Sequence, residues 1–263
     1  MPHAYANRWG VVTGASSGIG AEFARQLAAK GMHCVLVARR EDRLRALGQE
    51  LEAAHGIRCE IVTTDLSQPH AGRELLAEVS HRGIAVELLV NNAGFGLVAS
   101  VEETDVAQAL EMIQVNIVGL TELTLLAAKE MAARGHGGII NIGSIVSFQP
   151  VGYMGVYAAS KAYVLHFSEA LGAELRAHGV TLTTLCPGAT RTGFFDRAGA
   201  SGWAERNRAE EVEAVVRTGL EAFDAGRLCV VSGWANYFLS LAVRLATRAT
   251  VVRWSMSSFR PHD

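Results

Sequence analysis

The chain has 263 residues, 49% of them hydrophobic and 19% charged, with 27 glycines and 5 prolines, which excludes a disordered or fibrous polypeptide. A formal net charge of −2 argues against a nucleic-acid partner, which would call for a basic excess. Cys34, Cys59, Cys186 and Cys229 match no zinc spacing, so no metal centre is expected, and they read as buried thiols of a reducing compartment.

The opening MPHAYANRWG lacks the apolar core of a signal peptide. No run of about eighteen apolar residues occurs, so no spanning helix is expected and the protein reads as cytoplasmic. Residues 9–12 form a strand-like run leading into Thr13-Gly14-Ala15-Ser16-Ser17-Gly18-Ile19-Gly20, and a helix with Phe23 and Leu27 on one face then runs to Gly31. Strand, glycine-rich turn and helix in that order are the setting of a dinucleotide site. Glycines let the backbone approach a pyrophosphate, whose charge then lies at the helix N-terminus. The spacing here is Gly-x-x-x-Gly-x-Gly, not the commoner Gly-x-Gly-x-x-Gly.

A second strand over 34–38 ends in Arg39-Arg40. An acid at this junction would accept the ribose hydroxyl of NAD, whereas arginine suits a 2′-phosphate. NADP(H) is therefore expected, with Arg39 as the phosphate clamp and Ser16 assisting. Glu41 and Asp42 read as first-turn acids of a helix over 41–56 whose buried stripe is Leu44, Leu47 and Leu51. A strand over 57–63 precedes Asp65-Leu66, a helix spans 69–82, and a strand over 86–90 leads into Asn91-Asn92-Ala93-Gly94.

A long helical region covers 105–134, where Asn116 interrupts the apolar Met112, Ile113, Val115, Ile117 and Val118. A buried asparagine needs partners, so it is either a packing group or part of a site. The strand over 139–142 leads to Ser144; Tyr157 comes thirteen residues later and Lys161 four beyond that. Residues four apart share a helix face, so Tyr157 and Lys161 in a helix over 157–178 point the same way. An ammonium beside a phenol favours the phenolate and lowers its pKa from the ordinary value of about 10. With Ser144 holding a carbonyl oxygen, this is a general-acid arrangement for reducing a ketone or aldehyde.

A strand over 180–185 ends at Pro187-Gly188-Ala189-Thr190-Arg191-Thr192, and the polar segment to about 208, with Phe194, Phe195 and Trp203, reads as a lid or substrate loop. A helix over 210–225 and a strand over 228–231 complete the pattern. Alternating strands and helices specify an α/β three-layer Rossmann fold: one doubly wound, mostly parallel sheet of about seven strands with helices on both faces. Ligands of such sheets lie beyond the carboxyl ends of the strands, where Asp65, the Asn91–Gly94 segment and Ser144 all fall. One domain over 1–263 is expected, ending in an amphipathic helical tail over 234–263. Its stripe is Phe238, Leu241, Ala242, Leu245, Ala249 and Val252, with Arg244 and Arg248 opposite. Packing on its own domain or a sister subunit is expected in preference to a membrane surface.

With TGASSGIG at 13–20, NNAG at 91–94, Ser144, YAASK at 157–161 and PGATRT at 187–192 in order, the chain closely resembles the short-chain dehydrogenases/reductases from Arg8 to about Val231. The ARREDRL segment and the extended tail look most like the acyl or ketone reductases of that family. The resemblance implies a catalytic tetrad of Asn116, Ser144, Tyr157 and Lys161. Tyr157 would be the acid in reduction, Lys161 would bind the nicotinamide ribose, Ser144 would polarise the carbonyl, and Asn116 would hold a water in the proton relay. Cofactor contacts are implied for Gly14, Ser16, Ser17, Gly18, Ile19 and Gly20 in the turn, and for Arg39, Asp65 and Leu66 at the adenosine end. They are implied as well for Asn91, Ala93 and Gly94, for Tyr157 and Lys161, and for Pro187, Gly188, Thr190 and Thr192. A homo-dimer or homo-tetramer is also implied.

The sequence thus reads as an NADPH-dependent carbonyl reductase, reversible as an alcohol dehydrogenase. Phe95, Val146, Val151, Met154, Phe194 and Phe195 are candidate pocket residues, and their apolar character favours a hydrophobic ketone. A competing reading is a non-catalytic NADP-binding sensor or interaction protein, which would have no need of the intact Ser/Tyr/Lys set.

Overall fold

The computed structural model describes residues 4–194, 198 and 209–259. Seven parallel strands run in the order β3-β2-β1-β4-β5-β6-β7. They are β1 (Trp9–Thr13), β2 (His33–Ala38), β3 (Cys59–Thr63), β4 (Val86–Asn91), β5 (Gly137–Ile142), β6 (Val180–Cys186) and β7 (Cys229–Val231). The strands are short and rich in β-branched residues, and the central ones are buried on both faces, as crossover helices on each side require. The strand order reverses between β1 and β4, and ligands bind at such a switch point.

One face carries α1 (Gly18–Ala29), α2 (Glu41–His55) and α7 (Val212–Asp224) over a core containing Phe23, Leu27, Leu36, Leu44 and Phe223. Each such side chain withdrawn from water contributes roughly 1.5–3 kcal/mol. Gly138 of β5 leaves room for the Phe223 ring to lie directly on the strand. In α2 the acids Glu41 and Asp42 begin the helix and Gly56, at φ 66°, ends it in the left-handed conformation that glycine tolerates.

The other face carries α3 (Ala71–His81), α5 (Leu120–Arg134) and α6 (Gly155–Leu175) over Val35, Leu75, Val79, Leu123, Met131 and Leu175. α4 (Val106–Ile113) begins where the Asp105 carboxylate accepts from the backbone of Ala107 and Gln108. It runs into α5 through a π-helical turn, Gln114–Gly119, centred on Asn116. Contrary to expectation, Val106–Arg134 is long and apolar enough to cross a membrane by length and composition. Its second half lies on the sheet, with Leu123, Ala127 and Met131 buried there, while Met112 packs with Val146, Met154 and Tyr157.

Several boundaries move by one or two residues, and two of the differences bear on the site and the tail. α6 starts at Gly155, two residues ahead of Tyr157, and a short 3-10 turn closes it. The tail is not one stripe but two helices, α8 (Trp234–Leu245) and α9 (Arg248–Phe259), because Ala246 is extended and the Thr247 hydroxyl accepts from the Thr250 backbone at 3.3 Å. All four cysteines are free; Cys34 and Cys186 are buried, while Cys59 and Cys229 are only half-buried.

Candidate active site

The carboxyl ends of β1 to β6 open into a crevice of about 670 Å³. Gly14, Ser16, Ser17, Gly18 and Ile19 of the first turn line it, as do Ala38, Arg39, Arg40, Asp65 and Leu66 of the next two strand ends. Ala93 and Gly94 follow after β4, Ser144 after β5, Tyr157 and Lys161 from α6, and Pro187, Gly188, Thr190 and Thr192 after β6. Segments far apart in sequence therefore meet in one place.

The glycine turn is built by close backbone approach. Gly14 (φ 67°) and Gly18 (φ 57°) adopt left-handed conformations. A Cβ on Gly14 would stand 2.6 Å from Asn92 Nδ2, and one on Gly18 would stand 3.0 Å from Thr192 Cγ2. Asn92 holds the turn by donating from Nδ2 to the Thr13 carbonyl at 3.0 Å, a part not foreseen for it. Gly20 lies outside the crevice wall, tight against the Gly14 carbonyl.

At the adenosine end the two arginines divide. Arg39 Nη1 lies 3.9 Å from Asp65 Oδ2 and 3.5 Å from Glu111 Oε1. Arg40 Nη2 donates to Ser16 Oγ at 2.9 Å and Ser17 Oγ at 3.1 Å. Arg40, and not Arg39 as expected, is thus the cation beside Ser16. Asp65 is oriented by Ser67, whose N and Oγ donate to Oδ1 at 3.0 and 2.8 Å. Exposed glycine backbone with two serine hydroxyls and two guanidinium groups suits a phosphorylated dinucleotide, and Asp65 suits its base end.

At the other end, Ser144 caps the 3-10 turn Ile145–Phe148; its hydroxyl accepts from Val146 N at 3.3 Å, and Ser147 Oγ accepts from Ser144 N at 3.1 Å. Tyr157 stands beside Ser144 in the crevice wall, and its ring lies 5.4 Å from that of Phe194. Lys161 donates to the Ile142 carbonyl at 2.7 Å, and its Nζ stands 5.9 Å from the tyrosine ring centroid. Burial dominates the electrostatics. It raises the Tyr157 phenol above its ordinary value, against the lowering pull of Ser144. It brings the Lys161 ammonium down to about 8. The expected lysine-driven lowering of the phenol is therefore not what this environment produces. Near neutral pH the phenol keeps its proton and most of the lysine its charge.

Asn116 and Asn91 stand behind the crevice. Asn116 is fully buried: Nδ2 donates to the Phe95 carbonyl at 3.0 Å and Ser160 Oγ at 3.1 Å, and Oδ1 accepts from Phe95 N at 3.2 Å. Its side chain thus serves the loop after β4. A Cβ on Gly94 would meet Asn116 Oδ1 at 2.8 Å and Lys161 Nζ at 3.6 Å, which places these groups together. Asn91 donates to Thr124 Oγ1 at 2.9 Å and Asn141 Oδ1 at 3.0 Å, and Asn141 donates to Ser168 Oγ at 2.9 Å, a buried network tying β4, β5, α5 and α6.

Phe95, Val146, Met154 and Phe194 line the crevice beside Tyr157. Val151 instead faces a second cavity of about 880 Å³ between α4, α6 and α9. Phe195, Trp203 and most of the expected lid lie outside the described residues. Beyond β6 the loop is anchored by Glu210. Its backbone pairs with Ala189 and Arg191, and its carboxylate, raised in pKa by burial, accepts from Asn236 Nδ2 at 2.7 Å. Asn236 in turn abuts Gly188. Among the described residues no group of His, Cys, Asp and Glu could hold a metal ion.

Residues 8–201 match the short chain dehydrogenase family. The very-long-chain 3-oxoacyl-CoA reductase of Podospora anserina is 38% identical over 176 residues, 65% of this chain and 52% of the relative. The chain thus spans about half the length of that fungal protein. The 7beta-hydroxysteroid dehydrogenase of Mediterraneibacter gnavus is 30% identical over 231 residues, 87% of each chain. Among solved structures, a short-chain dehydrogenase from Sphingobium yanoikuyae in complex with NADPH superposes with a TM-score of 0.82 at 32% identity, covering 97% of both chains.

Proposed function

The chain belongs to the short-chain dehydrogenase family, an oxidoreductase acting on CH–OH and C=O groups, and from that premise we propose that it is an NADPH-dependent reductase of apolar ketones, with Tyr157 as the proton donor. The observation carrying this reading is that Ser144, Tyr157 and Lys161 line the same crevice whose far end holds Arg40, Ser16 and Ser17. NADPH, when bound, supplies the hydride.

The chain's own residues do the rest. The Ser144 hydroxyl holds the substrate oxygen beside the phenol, and the phenol, kept protonated by burial, gives its proton to that oxygen as negative charge develops. General acid catalysis of this kind contributes roughly 10²- to 10⁴-fold. Lys161, fixed by Ile142, lends positive charge to the same wall and a donor to the nicotinamide ribose. Arg40, with the two serines, selects the 2′-phosphate, and Arg39 serves as a second cation shared with Asp65 and Glu111.

Phe95, Leu97, Ile145, Val146, Met154 and Phe194 exclude water around the phenol, which favours an acyl or steroid-like ketone over a sugar. The named activities of the fungal and bacterial relatives support that class. Copies of the chain pair through the outer flank of the π-helical turn, α5 and α6, where Val118, Leu125 and Tyr163 are exposed, giving a cytoplasmic homo-oligomer. The test is NADPH oxidation against carbonyl compounds graded by chain length and ring size. Turnover should concentrate in the apolar members; NADPH binding with turnover of none would overturn the assignment in favour of a sensor.

A further inference from the structure

The tail helix α8 is apolar on two sides, and the fold covers one. Its inner side carries Leu239, Ser240 and Val243, together with Asn236 bound to Glu210. Its outer side carries Trp234, Tyr237, Phe238, Leu241 and Leu245, whose spacing places them on one face. These residues are open to solvent: Trp234 is 80% exposed, Phe238 62% and Leu245 91%. A helix that is apolar all round belongs in a core or against lipid. α9 is docked through Val251 and through Ser255, whose hydroxyl accepts from Gly152 N at 3.1 Å, and it carries an exposed Trp254 of its own.

Charge decides what covers this surface. From Trp234 to Asp263 the sequence holds Arg244, Arg248, Arg253 and Arg260 against one acid, Asp263, in a chain whose net charge is −2. Arg244, Arg248 and Arg253 are exposed, and Arg244 flanks the apolar stripe with its guanidinium over the Phe148 ring at 5.8 Å. A second copy is a poor cover, because a two-fold interface sets the same patch against itself. Two positive patches would then meet, with no acid in either helix to neutralise them. An anionic bilayer surface fits both features: aromatic and aliphatic side chains enter the headgroup boundary while arginines meet phosphate. At 12 residues α8 is about 18 Å long, too short to span about 30 Å of hydrocarbon, so it would lie in the plane.

We propose that the outer face of α8 and α9 docks this protein on an anionic lipid surface. The test is sedimentation of the full-length protein with phosphatidylcholine vesicles made with and without phosphatidylglycerol. The bound fraction should rise with phosphatidylglycerol and fall with added salt. The pair Phe238→Ser with Leu245→Ser, and separately the triple charge reversal of Arg244, Arg248 and Arg253 to Glu, should each weaken partitioning about tenfold or more. Particle mass by light scattering and NADPH-linked turnover in vesicle-free buffer should not change. Trp234→Ala, at the open end of the stripe, gives the same direction if the double variant fails to fold. Equal partitioning to neutral and anionic vesicles, unaltered binding by these variants, or a halved particle mass on removing the stripe would each overturn the proposal; the last would assign the face to a second copy.

Discussion

Lys161 is held by the backbone carbonyl of Ile142, 2.7 Å away, so a buried ammonium is matched to a neutral acceptor. Its folded-state pKa falls from 10.5 to about 8, while the unfolded chain keeps the ordinary value. Below pH 8 both states bind the proton and the folded state carries the full desolvation cost. As pH rises from about 8 to 10.5 the folded state loses its proton first and that cost disappears. The stability of the wild type minus that of Lys161→Met should therefore rise by about 3 kcal/mol from pH 7 to pH 10.5. Urea unfolding of both proteins at the two pH values measures it. A flat difference would mean that the lysine is better solvated than its surroundings indicate. The same titration predicts that kcat/KM for NADPH falls as pH rises through about 8, since that ratio reports groups of the free enzyme.

Tyr157→Phe removes the only proton carried by that side chain toward the crevice while keeping its contact with Phe194. Carbonyl reduction should drop at least about 10²-fold with NADPH affinity unchanged. Single-turnover kinetics with fluorescence titration of NADPH separate the two, and retained turnover would remove Tyr157 from the acid role.

Arg40 touches both serines of the glycine turn, whereas Arg39 is engaged by Asp65 and Glu111. Arg40→Ala should raise the KM for NADPH about tenfold or more and leave that for NADH nearly alone, in line with about 1.5–3 kcal/mol for a charged hydrogen bond. Arg39→Ala should have the smaller effect. The ratio of kcat/KM for the two cofactors reads this out, and a larger change at Arg39 would reverse the assignment.

Asn91 is bound into a buried network with Thr124 and Asn141 and does not line the crevice. Asn91→Ala should cost about 1–3 kcal/mol of stability, because it leaves buried groups unpaired. The KM for NADPH should stay put. Thermal unfolding and cofactor kinetics on one preparation decide, and an altered KM at unaltered stability would return Asn91 to the cofactor.

The strands and the glycine turn were readable because their signals are local: β-branched runs, turn glycines and the leucine spacing of α2 each act within a few residues. What was not readable depends on partners far along the chain. Arg39 and Arg40 are adjacent and alike, and only the assembled crevice shows that the second reaches Ser16 while the first reaches Asp65 and Glu111. The Tyr157 phenol was expected to be lowered by Lys161; burial, a property of the assembled crevice, prevails. For Asn116 the sequence admits both a packing role and a site role. It spends its side chain on Phe95 and Ser160 while standing beside Lys161. The break between the tail helices did have a local signal, the Thr247 hydroxyl at the start of α9, which a continuous apolar stripe concealed.

The contact between Glu210 and Asn236 joins two remote parts of the molecule. The carboxylate belongs to the segment paired with the crevice loop at Ala189 and Arg191, and the amide belongs to the tail helix that presents Trp234 and Phe238 outward. Linkage makes any coupling through that contact symmetrical: if lipid attachment changes affinity for the nucleotide by some factor, the nucleotide must change affinity for lipid by the same factor. Glu210→Gln or Asn236→Ala would then alter both affinities together, so one hydrogen bond would set how strongly occupancy of the crevice is felt at the surface.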